Sequence, residues 1–230
     1  KKIVVVQLSG GNDYLNCIIP YNNSEYLDNR PNVRITEERV LPIGNGLGMN
    51  PSMAPIKELY DSGKVAVIHG TGYPVPSRSH FRSMDIWHTA EPTKVGNEGW
   101  LGNAINQMYP NHDNVVAAVN FGAGLPRSLV SHGAPVASVT DLDNYGLMSH
   151  VGDEGIRTEA LQAFKDMYTQ AIGTGPVMDY LSETGLNALK GAEILSSVTQ
   201  NYTSSVEYAT DSFSKSMKGA AQVLQADIGT

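Results

Sequence analysis

Two hydroxyls, a guanidinium and an imidazole stand in a row at Ser77, Arg78, Ser79 and His80. They follow a Gly/Pro loop, residues 70–76, and open an apolar-periodic stretch to His88 that reads as a helix. Groups of these types at a strand-to-helix junction suit anion-directed chemistry. The first N–H groups of a helix lack partners and its dipole favours negative charge there. A serine attacks at neutral pH only when a base, a metal or a helix terminus activates it, so Ser77 and Ser79 are both candidate nucleophiles. Arg78 and Arg82 are four apart, and both suit bidentate contact with phosphate or sulfate oxygens. The plain alternative is a serine N-cap with solvated arginines.

A second candidate lies in Gly10-Gly11-Asn12-Asp13. Asp13 has the chemistry of a divalent-metal ligand, with Asn12 or Asn16 as an accessory oxygen donor. The alternative is an Asx-turn or helix cap. His80, Met84 and His88 share a helix face, but two histidines without an acidic motif make a poor zinc site. His69 closes an apolar run and is either a supporting residue or simply buried, while His112, His132 and His150 carry no spacing signal. Gly44 to Gly48 is not a dinucleotide fingerprint, because Met49 stands where the third glycine belongs. The sequons at Asn22 and Asn201 carry no information without the host.

These residues need elements to hold them. Ile3 to Leu8 and Val65 to Ile68 are continuous apolar, β-branched runs, which suits strands buried on both faces of a parallel sheet. Between them, Ser24 to Pro31 reads as a short helix or turn, and Asn50-Pro51-Ser52 caps a helix to about Asp61. Strand, helical crossover and strand make a βαβ unit, and so an α/β fold with ligands at the carboxyl edge of the sheet. That edge would carry both Asp13 and the Ser77–His80 group. Further on, Trp100 to Tyr109 reads as a helix and Val115 to Asn120 as a third strand. Helices are expected over Ile156–Tyr168, Val177–Leu195 and Val206–Leu224. We divide the chain at 1–154, an α/β part, and 155–230, a helical segment that continues it or caps it. Three strands leave such a sheet unfinished, which reads as the N-terminal portion of a larger protein.

Charge and composition narrow the partners. A net charge of −7 argues against a nucleic-acid or anionic-membrane binder but does not exclude an anionic ester, because a few local arginines overrule the global field; a protein partner is the other expectation. No apolar run approaches the roughly 20 residues that span a bilayer. A single cysteine, Cys17, excludes an internal disulfide framework and is expected to pack in a helix behind the first strand.

Residues 7–21 (QLSGGNDYLNCIIPY), the run from Gly46 to Ala90 and residues 99–105 (GWLGNAI) together resemble the bacterial family known as domain of unknown function 1501. Members of that family resemble the alkaline phosphatase and sulfatase superfamily and are usually exported with a twin-arginine signal. The resemblance implies a mostly parallel sheet with helices on both faces and an exported, periplasmic or extracellular location. It implies a metal-binding Asp13 (Zn, Mn or Ca) and a serine at the strand-to-helix turn, matching Ser79 rather than Ser77. Arg78 would act beside that serine, and Arg82, His80 and Asn16 would contact substrate. The remaining metal ligands in that superfamily come from a carboxyl-terminal half, so this chain is expected to hold part of a site. Formylglycine chemistry is disfavoured, since Pro74 occupies the position that must be Cys or Ser before the Pro76-Ser77-Arg78 element.

Two functions follow as expectations. One is a metal-dependent hydrolase of phosphate or sulfate esters. The other is a non-catalytic exported scaffold or binding component that keeps the same fold.

Overall fold

The computed structural model describes residues 2–8, 10–111, 113–122, 124–142, 145–169, 175–200 and 202–229. His112 and Asn201 lie outside them. The described chain is mixed α/β, with seven α-helices, a three-stranded antiparallel sheet and a two-stranded parallel sheet. It divides into two compact units, Val5–Gly72 and Lys1–Val4 with Tyr73–Thr230.

In the Val5–Gly72 unit, β1 (Ile18–Ile19), β3 (Leu47–Met49) and β2 (Leu41–Gly44) lie side by side in that order, all antiparallel. The glycine-rich run is the turn between β2 and β3. Asn45 and Gly46 take φ of 55° and 72°, the mirror-image turn whose twist matches the flanking strands. α1 (Ser24–Asn29) is capped by Asn23, whose side chain accepts the Glu25 N–H. Asn50 caps a 3-10 turn at Pro51–Met53 that runs into α2 (Ala54–Asp61). Ile19, Tyr26, Ile35 and Val40 form the core of this unit. The Tyr26 hydroxyl crosses it, donating to Asn16 Oδ1 at 2.7 Å and accepting the Ile35 N–H at 2.9 Å.

Neither apolar run expected to be a strand is one. Residues 3–8 and 65–68 form no ladder, and Ile3, Leu8 and Ile68 are 85%, 81% and 73% exposed. Apolar, β-branched composition permits a strand, but cross-strand partners create it. Neither run has such a partner among the described residues, so the βαβ unit expected between them is replaced by the antiparallel hairpin that precedes α2. Cys17 sits between a 3-10 turn (Tyr14–Asn16) and β1, not in an α-helix.

The other unit contains the one parallel pair among the described strands. β4 (Ala118–Phe121) and β5 (Val136–Val139) align in register from Ala118↔Val136 to Phe121↔Val139. Val115, Val116, Ala137, Val139 and Leu142 pack there with Leu195, Val198 and Val223. The helices α3 (His80–Thr89) and α4 (Trp100–Met108) precede the pair, and α5 (Glu154–Thr169), α6 (Pro176–Ser197) and α7 (Ser212–Ala226) follow it. On α6 the buried residues Gly185, Leu189, Ala192 and Leu195 recur with the helical period, so one stripe faces inward. α7 starts at Ser212 and not at Val206. The Asp211 side chain accepts the Ser214 N–H at 3.0 Å and fixes the first turn there.

Candidate anion site and candidate metal ligand

The segment from Tyr73 to Arg82 is built as a stack of local hydrogen bonds. The Ser77 N–H donates to the Tyr73 hydroxyl at 2.9 Å, and Ser77 Oγ accepts the Ser79 N–H at 3.2 Å. Ser83 Oγ donates back to the Ser77 carbonyl at 3.0 Å. Ser79 is the N-cap of α3, its Oγ accepting the Arg82 N–H at 3.4 Å. That is long against the usual 2.9–3.0 Å, so the cap is weak. Upstream, Val75 is held at φ 54° between Pro74 and Pro76 and is 92% exposed. A β-branched residue in the left-handed region costs about 1–2 kcal/mol, and here that strained position turns the chain into α3.

The four side chains proposed to meet an anion separate into two groups. Ser79, Arg78 and His80 are exposed at the start of α3, and Arg78 has no hydrogen bond or ion pair among the described residues. Arg82 is different. Its Nη2 donates to the carbonyls of Glu91 (2.9 Å), Pro92 (3.3 Å) and Lys94 (2.6 Å), and its Nη1 lies 3.6 Å from Asp85. The guanidinium therefore anchors the 91–94 loop, and the four-residue spacing does not leave both arginines open. Asp85 is also ion-paired to Arg127, which donates to the Gly96 carbonyl. This ties α3 to the turn at Arg127–Leu129.

In the other unit Asp13 precedes the 3-10 turn at Tyr14–Asn16 without capping it. Its carboxylate is half-exposed and ion-paired with Arg30. Asn12 Oδ1 accepts the Cys17 thiol at 3.1 Å. Asn16 is spent on structure: its Nδ2 donates to the Val33 carbonyl at 2.8 Å while Oδ1 takes the Tyr26 hydroxyl. His69 is exposed, hydrogen-bonded through Nδ1 to the Tyr14 hydroxyl, with ring centroids 6.2 Å apart and edge-on. No group of three or more His, Cys, Asp or Glu converges among the described residues. One carboxylate with a guanidinium on it falls short of the four ligands of zinc or the six to eight oxygens of calcium. These residues alone do not make up a metal centre.

Asp13 and Ser79 belong to different units, and the two strands expected to bring them to one sheet edge are not formed. Of the remaining histidines, His132 stacks on Tyr180 at 5.9 Å and His150 is exposed. The partners Arg30 and Arg127 escape sequence reading, since each meets its carboxylate 17 and 42 residues away with no local spacing to announce it.

Comparison with known proteins yields no matching family model, no matching curated protein and no matching solved structure.

Proposed function

We propose that this chain carries the anion-binding element of a metal-dependent hydrolase of phosphate or sulfate esters, on an alkaline phosphatase-like core. The supporting observation is the start of α3, where Ser79 and an unengaged Arg78 stand exposed together. Arg78 would neutralise the ester's non-bridging oxygens, and the unpaired N–H groups of the first turn would hold charge that develops in the transition state. Ser79 Oγ would form the bond to phosphorus or sulfur, its proton passing to water, as the ester oxygen departs with its electron pair; a second water would then cleave the seryl ester, releasing phosphate or sulfate and restoring the hydroxyl. His80 is exposed beside it and would contact the substrate. Asp13 would be one ligand of a divalent ion, which supplies charge neutralisation when bound. Export to the periplasm or beyond belongs to the same proposal through the Gly10–Asp13 and Ser77–Phe81 motifs.

One observation favours the non-catalytic alternative: Arg30 already neutralises Asp13, and Asn16 is fully used inside its own unit. An aryl-phosphate and aryl-sulfate assay with added Zn, Mn or Ca decides between them. Hydrolysis by the wild type that falls at least 100-fold in Ser79→Ala and only a few-fold in Ser77→Ala supports the enzyme. A wild type inert under all three metals removes it.

A further inference from the structure

The cavity at the carboxyl ends of β4 and β5 has about 270 Å³ of space and lies wholly within the larger unit, with no wall from α3. Phe121, the last residue of β4, and Leu142, just after β5, give it apolar sides. α7 and residues 208–210 just before it supply most of the rest. Lys215, Lys218 and Gln222 are spaced i, i+3, i+7, so one helix face brings two lysines and an amide to the cavity. Neither lysine forms an ion pair among the described residues. Asp141 also lines the space, leaving a local surplus of positive charge inside a protein whose net charge is −7.

Gln222 gives this cavity its meaning. The residue is 5% exposed and lines the space, and its amide forms no hydrogen bond among the described residues, so its polar atoms are left to whatever fills the cavity. An amide open to a cavity is satisfied by water or by a polar group of an occupant. Carboxyl ends of parallel strands are where α/β proteins place ligands, and the volume limits the occupant to a small molecule.

We propose that this cavity binds a small organic phosphate, with the anion on Lys215 and Lys218, its carbon body against Phe121 and Leu142, and a polar group on the Gln222 amide. Lysine suits this task because its ammonium acts as a point charge that tolerates varied phosphate geometry. Tyr208, which also lines the space, pairs with Tyr202, their hydroxyls 3.0 Å apart. The Tyr202 hydroxyl is held below its ordinary pKa first by the bond to Tyr208 and in smaller part by the charge on Lys218.

Phenylphosphonate is the probe, because it carries the anion and a ring and cannot be hydrolysed as an ester. Calorimetric titration of the whole chain is expected to show one saturable event near ~1 mM or tighter. That event should weaken at least ten-fold in Lys218→Ala and in Gln222→Leu, and persist in Arg78→Ala, which separates it from any event at α3. Should Gln222→Leu fail to fold, Gln222→Glu keeps the shape and should weaken the phosphonate at least ten-fold by repulsion. Binding unchanged by the lysine and glutamine variants, or no binding by the wild type at 10 mM (roughly ten times the expected constant), overturns the proposal.

Discussion

Replacing Arg82 tests whether its chemistry is anion binding or architecture. One nitrogen, Nη2, shares its two protons among three carbonyls of the Glu91–Lys94 loop, and the side chain is 26% exposed. A hydrogen bond from a charged donor contributes about 1.5–3 kcal/mol, with the lower end fitting a partly solvated site. Removing the guanidinium also leaves the carbonyls to water, which some of them can reach. Arg82→Ala should therefore cost about 2–3 kcal/mol, and Arg82→Lys about 1 kcal/mol because an ammonium still reaches one carbonyl. For a chain of this size each kcal/mol moves the unfolding temperature by about 2–4 °C. Both tryptophans, Trp87 and Trp100, lie in the same unit as Arg82, so their fluorescence follows the right transition. Arg78→Ala is the counterpart, with stability within about 0.5 kcal/mol of wild type and aryl-ester turnover or binding reduced. A wild-type melting curve for Arg82→Ala combined with lost ester binding would refute this assignment and return Arg82 to the anion site.

Two further outcomes check other parts of the structure. A Cβ at Gly99 would stand 2.2 Å from the Arg127 carbonyl oxygen and the Ser128 carbonyl group, so Gly99→Ala must push α4 off the Arg127–Leu129 turn. We expect a loss of about 2–3 kcal/mol in denaturant unfolding, and a wild-type midpoint would show that this packing is wrong. The Asp211 carboxyl is held below its ordinary pKa by the Ser214 hydroxyl and then by the Ser214 N–H. Because the folded value is the lower one, its stabilisation is complete above about pH 4, the unfolded value. It is lost as pH falls through the folded value. Hydrogen exchange in the first turn of α7 should rise below about pH 4 in wild type and show no such step in Asp211→Asn.

Much of the local structure was legible because its causes are local. Asn23 and Asn50 each bond an N–H two residues on, and Gly63 stops α2 where the Ser62-Gly63 pair says it should. α4, α5 and α6 fall within two residues of their expected bounds, since their apolar period spans several turns. The start of α7 shows where this limit lies. Val206 is apolar and invites a helix, but the Asp211–Ser214 cap sets the first turn six residues later.

The candidate site divides in the same way. Residue types were enough to place the Ser77–His80 group at the start of α3, but they left Ser77 and Ser79 open as its cap; the structure gives that bond to Ser79. The engagement of Arg82, the pairing of Asp13 with Arg30 and the structural use of Asn16 depend on carbonyls and charges up to 17 residues distant. No window contains those partners. The apolar runs at 3–8 and 65–68 make the point most directly: composition allowed two strands, but a strand exists only when another backbone supplies the ladder. The sequence by itself thus determined which elements could start and stop where, and which side chains had the chemistry for an anion or a metal. Tertiary structure decided which were free to use it, because availability is set by what else reaches the same atoms.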